Sequence, residues 1–151
     1  MMAVGCSSHP KNLKTEIYND QTKTWAILAD YPYSLPPPYA TDKPYVSGYA
    51  SIYQSGAFYI FGGANNSNKI ARLDEITREW SLAGSMIKSR RGHSVAYDGS
   101  TFIVVGGLPS SKTENCTLQG TVMTCLEQES PALTDYSFYP ALFVTDQNFG
   151  C

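Results

Sequence analysis

The sequence is poor in the residues that carry chemistry or bind polyanions. It has two histidines, His9 and His93, and it lacks a Cys-x-x-Cys pair, histidines at metal-ligand spacing and a phosphate-binding glycine loop. We therefore expect no metal, no cofactor and no catalytic residue. Charged residues make up only 16% of the chain, the net charge is -2, and no run of lysine and arginine exceeds two residues. This composition argues against a nucleic-acid partner.

Long apolar stretches are also missing. None approaches the ~20 residues that a transmembrane helix requires, so we expect no membrane span. The apolar start, residues 1–6, is too short for the core of a signal peptide and has no basic flank. What the chain does have is tyrosine, with 11 copies, and an aromatic content of 13%. Such a composition is typical of a β-rich domain.

Two glycine pairs give the first sign of a repeat. Gly62-Gly63 and Gly106-Gly107 each close a short apolar run, and the pairs lie 44 residues apart. The runs, residues 57–61 and 101–105, are typical of buried strands. A repeat of about 40–50 residues with four short strands per unit is the pattern of propeller blades. The spacing therefore predicts a repeat scaffold that presents loops.

A second pair of segments repeats in the same phase. Residues 18–25 and 73–80 align without gaps, and each segment ends in a tryptophan. Asn19 and Asp74 occupy equivalent positions, where their side chains can cap a turn. Each segment is thus predicted to be a hairpin whose return strand begins at the tryptophan.

This order of strand, turn, apolar strand, glycine pair, hairpin and tryptophan resembles the kelch repeat. The resemblance covers roughly residues 12–145, with Leu73 at a position where the kelch pattern usually has tyrosine. It implies an all-β fold, namely a partial β-propeller of kelch-like four-stranded blades. The alternative is a β-sandwich in which the glycine pairs occur by chance. The residues that carry the resemblance are Gly62, Gly63, Trp80, the segment from Arg91 to Ser94, Gly106 and Gly107, with Tyr18 and Trp25 from an earlier unit.

The phase of the repeat divides the chain into segments. They are an N-terminal segment (residues 1–11), the second half of a blade (12–30), a loop rich in proline and tyrosine (31–45), a complete blade (46–84), a blade with a cysteine hairpin (91–128) and the start of a further, truncated blade (136–151). A closed propeller needs about 4–8 blades, and this chain has room for about three. We therefore expect an arc of a longer protein or a misassembled gene product. Ring closure by self-association is a less favoured alternative.

Cys116 and Cys125 are predicted to form a disulfide. Gly120 and the residue after it suit a two-residue turn, and the resulting register places the two cysteines opposite each other at a non-hydrogen-bonded position. The Cα separation at such a position, ~4.5 Å, is within the range that a disulfide accepts. The alternative is two reduced, buried cysteines, with Cys125 at the repeat position of tryptophan. Partners for Cys6 and Cys151 are not identified.

Two N-glycosylation triplets begin at Asn65 and Asn115. Together with the cysteine pair they indicate an extracellular or secretory-pathway protein. A cytoplasmic location, as for cytosolic kelch proteins, is the alternative.

The loop of residues 31–45 contains five prolines and four tyrosines. Its triple proline favours a stiff, extended segment, and tyrosines on a stiff loop are suited to contact a ligand. We predict Tyr39 and Tyr45 as such contact residues. The alternative is a rigid spacer whose tyrosines pack on neighbouring blades.

Arg90, Arg91 and His93 lie at the start of the inner strand of a blade. In the proteins that the sequence resembles, this strand edges the central channel, so we predict that these groups bind an acidic ligand there. A guanidinium can hold a carboxylate with two hydrogen bonds. The alternative is structural: one of the arginines pairs with an acid of the adjoining blade, and His93 hydrogen bonds to the backbone.

The predicted function is a non-catalytic scaffold that binds a protein or glycan ligand through its loops. The resemblance leaves two alternatives. One is a fragment of a propeller enzyme, galactose oxidase-like or sialidase-like, for which the supply of histidines is small. The other is the substrate-recognition part of a cytosolic ubiquitin-ligase adaptor, which a disulfide disfavours.

Overall fold

The computed structural model describes residues 15–32, 48–63 and 67–128, together with the backbone of residues 2–4. None of these residues is in a helix, so this part of the chain provides no helix long and apolar enough to cross a membrane. The all-β fold predicted from the sequence is confirmed. The strands are β1 (Met2–Val4), β2 (Thr15–Asn19), β3 (Thr24–Ile27), β4 (Tyr49–Gln54), β5 (Ala57–Gly62), β6 (Lys69–Asp74), β7 (Trp80–Ser85), β8 (Ser94–Tyr97), β9 (Phe102–Val105), β10 (Glu114–Gln119) and β11 (Val122–Glu127).

Eight of these strands form two successive units of four. In the first blade, β4 to β7 pair antiparallel in chain order, and in the second blade β8 to β11 do the same. Four-stranded antiparallel units in series are the architecture of a propeller. The prediction of a partial propeller built of four-stranded blades is therefore confirmed.

The two blades also meet at their edges. The inner strands β4 and β8 lie against each other, and the outer strands β7 and β11 pair in parallel, so the combined sheet is nearly closed. In the outer pairing Gly84 lies opposite Met123. A side chain at Gly84 would collide with the carbonyl oxygen of Met123, so glycine permits the pairing. The sequence did not predict this contact.

The main core lies between the facing sides of the two blades. The ring of Phe102 has its centroid 5.4 Å from that of Tyr59, 5.9 Å from Phe61 and 4.9 Å from Tyr97. Each large apolar side chain buried in this way stabilises the fold by roughly 1.5–3 kcal/mol. Each blade therefore buries its apolar face against the other, as repeat units must. The buried members are Ala57, Tyr59, Phe61, Ile70, Ala83, Met86, Phe102, Val104, Cys116, Met123 and Cys125.

The cysteine hairpin has the register predicted from its turn. Cys116 lies opposite Cys125, and Leu118 lies opposite Met123. The two sulfur atoms are joined in a disulfide. Both cysteines are buried in the core, so the disulfide faces the first blade rather than solvent.

The two tryptophan hairpins are equivalent in the structure. Tyr18 lies opposite Trp25 in β2 and β3, and Leu73 lies opposite Trp80 in β6 and β7. The predicted caps are present in both turns. The side-chain oxygen Oδ1 of Asn19 accepts the N–H groups of Gln21 and Thr22 at 2.9 and 3.2 Å, and Oδ1 of Asp74 accepts those of Ile76 and Thr77, each at 2.9 Å.

A separate three-stranded sheet has the strand order β1-β2-β3, with Met2 opposite Ile17. The sequence did not predict β1. The chain after β3 packs on the first blade, where Nε1 of Trp80 donates to the carbonyl of Ala29 at 3.2 Å. The ring of Tyr31 is buried and meets Trp80 edge-on, with centroids 5.1 Å apart. This first tyrosine of the proline-rich loop thus packs on a blade.

Several predictions concern residues outside the described part of the chain. They are those for Cys6, Tyr39, Tyr45, Asn65, Cys151 and the further blade at 136–151.

Candidate interaction site at the blade junction

Residues 86–93, which we call the junction segment, connect β7 to β8 and lie between the two glycine pairs. The N–H of Gly63 donates to the carbonyl of Arg90 at 3.1 Å, which ties the segment to the end of β5. Arg91 and Leu108 exchange two backbone hydrogen bonds, of 3.0 and 2.9 Å, which tie it to the end of β9. Both blades therefore hold the same short segment.

This close packing requires the glycines. Gly62 has a φ of 59°, and a Cβ there would lie 2.5 Å from the carbonyl oxygen of Arg90. Gly107 has a φ of 85°, and its Cβ would lie 2.7 Å from the carbonyl oxygen of Arg91 and 3.0 Å from the nitrogen of His93. Positive φ alone already disfavours a residue with a side chain. The repeated glycine pairs thus have a physical reason: they abut the junction segment from its two sides.

Arg90 carries the main polar link across the junction, and it is fully buried, with 0% of its surface exposed. Its Nη2 donates to Oε1 of Glu114 in β10 at 2.6 Å. Its Nη1 donates to the carbonyls of Gly106 and Lys112 at 2.9 and 2.7 Å. This geometry matches the structural alternative, an ion pair with an acid of the adjoining blade. The guanidinium joins protein to protein and does not reach the surface.

Glu114 completes this link, and the sequence did not identify it as a partner of Arg90. Its side chain is also fully buried, and besides Arg90 it accepts the N–H groups of Ile87 and Lys88 at 2.6 and 3.0 Å. Three donors satisfy both carboxylate oxygens, as a buried carboxylate requires. The partners lie 24 to 27 positions away in the chain, so no local pattern marks this glutamate.

His93 lies between Gly62 and Gly107 and is buried, with 2% of its surface exposed. Burial, followed by the positive charge of Arg90, lowers the pKa of His93 to about 4, and the backbone of Phe61 opposes this to a smaller extent. Neither ring nitrogen forms a well-aligned hydrogen bond with a residue that the structure describes. The ring is therefore neutral at pH 7 and fills space in the junction.

The lowered pKa predicts a pH-dependent stability. Because the unfolded-state pKa is near 6.5 and the folded-state pKa is about 4, the unfolded chain binds this proton first as the pH falls. The contribution of His93 is complete above pH 6.5 and is lost between pH 6.5 and 4, by up to about 3 kcal/mol. The check is urea unfolding of the chain and of His93→Gln at several pH values in this range.

The His93→Gln chain retains His9, so any contribution of His9 to the pH dependence is common to both chains. Its unfolding free energy is expected to change less with pH than that of the parent chain. Asp74 and Asp98 have pKa values lowered mainly by the N–H groups of Thr77 and Thr101, so they contribute pH dependence only below their ordinary pKa of 3.8. Equal slopes for the two chains between pH 6.5 and 4.5 would contradict a buried neutral His93.

Arg91 differs from its neighbours because its side chain is exposed. The guanidinium forms no ion pair or hydrogen bond with any part of the chain that the structure describes. Its backbone is nevertheless fixed, by the two bonds to Leu108 and by the N–H of Gly92, which donates to the carbonyl of Gly48 at 2.6 Å. Because the backbone of Arg91 is already fixed, less conformational entropy is lost when its guanidinium binds a partner.

Glu114, Cys116 and Cys125 place three ligand atoms within 4.8 Å of one another. These ligand atoms are already engaged, because the sulfur atoms are bonded to each other and the carboxylate pairs with Arg90. Metal binding by cysteine needs the thiolate. In the disulfide form these three residues are therefore structural.

Comparison with known proteins adds an independent observation. The chain is 29% identical over 105 residues to kelch-like protein 21 of Bos taurus, Mus musculus and Homo sapiens. The match covers 66% of this chain and 16% of each relative. The chain resembles kelch-like proteins. No family model matches it.

The kelch-like resemblance predicted from the sequence is thus confirmed. Two of the features that carry it, the glycine pairs and the segment that starts at Arg91, meet at the junction. The structure brings Arg90, Arg91 and His93 together with both glycine pairs. Of the three predicted ligand-binding side chains in the described residues, Arg90 and His93 are enclosed and Arg91 faces solvent. Among the described residues, the candidate ligand-binding site is therefore reduced from three side chains to that of Arg91.

Proposed function

We propose that this chain is a non-catalytic, protein-binding segment of a kelch-like propeller. The similarity to kelch-like protein 21 and the two four-stranded blades support this proposal. The chain spans 16% of the length of these relatives. The function of a longer protein that contains this chain is therefore also a proposal.

The observation that carries the proposal is the exposed guanidinium of Arg91 on a fixed backbone. Arginine can hold a carboxylate with two parallel hydrogen bonds. Two further cations of this region, Lys88 and Lys112, are already engaged by Glu127, at 3.7 and 3.2 Å. We therefore propose that Arg91 is the anchor for an acidic side chain of a protein ligand.

Selection of displayed random peptides on the chain tests this function. We expect enrichment of peptides that contain aspartate or glutamate. For a selected acidic peptide, Arg91→Gln should weaken binding by about 10- to 100-fold, which is the loss of one charged hydrogen-bonded contact. Arg78→Gln removes an exposed arginine from the turn between β6 and β7 and should leave the affinity unchanged.

Two results would contradict the proposal. One is a selection that yields only peptides without acidic residues. The other is equal binding by the parent chain and Arg91→Gln when both chains have the same melting temperature.

We also propose that the chain resides in an oxidising compartment, extracellular or secretory. The buried disulfide between Cys116 and Cys125 supports this, because such bonds are rare in the reducing cytosol. Glycans on Asn65 and Asn115 belong to the same proposal. Asn115 lies in β10 on the face that Ile103 and the exposed Leu126 share, away from the first blade. A glycan there requires that no further blade packs on this face.

Intact-mass measurement of the chain from its native source checks the compartment. We expect a mass that rises by two hydrogens on reduction of the Cys116–Cys125 bond and falls on enzymatic deglycosylation. Reduced cysteines and an unmodified mass would indicate the cytoplasm instead.

A further inference from the structure

β3 is an edge strand whose side chains are all exposed. It ends the sheet of order β1-β2-β3, and no strand in the described part of the chain pairs with its outer edge. Trp25 and Ile27 are 47% and 61% exposed and lie on one face of the sheet. An edge strand with free N–H and C=O groups is a template for pairing with another chain.

The sequence of β3 lacks the usual protection of such an edge. Residues 24–29 carry no charge and no proline, and they are flanked by Lys23 and Asp30. Natural edge strands are commonly blocked by lysine, proline or a bulge. The same molecule shows that an outer strand of this fold accepts a further strand, because β7, the equivalent of β3 in the first blade, pairs at its outer edge with β11.

We propose that β3 is a self-pairing edge at which a second copy of this chain adds its own β3 in the antiparallel direction. Such an interface is symmetric, so each copy offers the same strand to the other. It is separate from Arg91, and its failure would leave the acidic-ligand proposal untouched.

One register makes this strand complementary to itself. Pairing centred on Ala26 places Trp25 of each copy opposite Ile27 of the other, and aromatic and β-branched residues are a stabilising cross-strand combination. The same register places Lys23 of one copy opposite Ala29 of the other and Asp30 opposite Thr22, so no like charges face each other across the pair. The interface is short, so we expect a weak, concentration-dependent dimer.

Sedimentation velocity over a series of concentrations tests the proposal on the whole 151-residue chain. We expect a monomer–dimer equilibrium. Ile27→Lys should raise its dissociation constant by about tenfold or more, because it removes both cross-strand pairs and puts a charge on the edge. Ile76→Lys is the matched control, since Ile76 is 89% exposed in the turn before β7, and it should leave the dissociation constant unchanged.

Cysteine cross-linking tests the register. In a background with Cys6→Ser and Cys151→Ser, Ala26→Cys should give a disulfide-linked dimer, because the two introduced thiols face each other across the symmetry axis. Thr24→Cys should cross-link far more slowly, since its counterpart in the other copy is Leu28. A chain that stays monomeric, a dimer insensitive to Ile27→Lys, or equal cross-linking by the two cysteine variants would overturn the proposal.

Discussion

Replacing Glu114 by glutamine is expected to destabilise the chain by about 3–5 kcal/mol, because it leaves the guanidinium of Arg90 buried without a counter-charge. A loss of that size is a large part of the stability of a small domain, which is about 5–15 kcal/mol in total. The two carbonyls that Arg90 also contacts do not carry the negative charge that a buried cation requires. The measurement is urea unfolding followed by tryptophan fluorescence.

Two controls separate the buried charge from other effects. Asp20→Asn removes an ion pair with Lys23 whose side chains are 85% and 67% exposed, and it should change the free energy of unfolding by less than about 0.5 kcal/mol. The double variant Arg90→Met with Glu114→Gln removes the buried cation as well, so it should be more stable than Glu114→Gln alone. If the single and double variants unfold at the same urea concentration, the loss in Glu114→Gln does not come from an unpaired buried charge.

Local patterns in the sequence were sufficient where a turn fixes the geometry. The two-residue turn at Gly120 sets the register of β10 and β11, so the positions of Cys116 and Cys125 followed from counting outward. The caps at Asn19 and Asp74 were equally predictable, because each side chain bonds to N–H groups only two and three residues further on.

Contacts between distant segments were not predictable in this way. The parallel pairing of β7 with β11 depends on how two blades approach, and only Gly84 inside a strand gave a local sign of it. Glu114 is similar, because its partners belong to the junction segment and are brought to it by the stacking of the blades. The candidate site is reduced from three predicted side chains to Arg91 for the same reason. Burial of Arg90 and His93 is decided by tertiary packing, and the neighbouring residues in the sequence do not reveal it.

The glycine pairs lead to the second large effect, which is expected for Gly62→Ala. At a φ of 59° the left-handed backbone conformation already costs alanine free energy, and its Cβ would also lie 2.5 Å from the carbonyl oxygen of Arg90. We expect a loss of about 2–5 kcal/mol, of which about 1–2 comes from the backbone conformation and the rest from overpacking. The measurement is the same urea unfolding.

Gly120→Ala is the matched control, because Gly120 has a φ of 62° and a Cβ there would meet nothing within 4 Å. It carries the backbone cost alone, so the difference between the two alanine variants, expected at about 1–3 kcal/mol, isolates the close approach of the junction segment. The atom that blocks Gly62 is a backbone oxygen and cannot rotate away, unlike the tip of Met86, which lies 2.9 Å from the same Cβ position. Equal losses in the two variants would mean that the glycine pair is retained for its backbone conformation, not for its contact with Arg90.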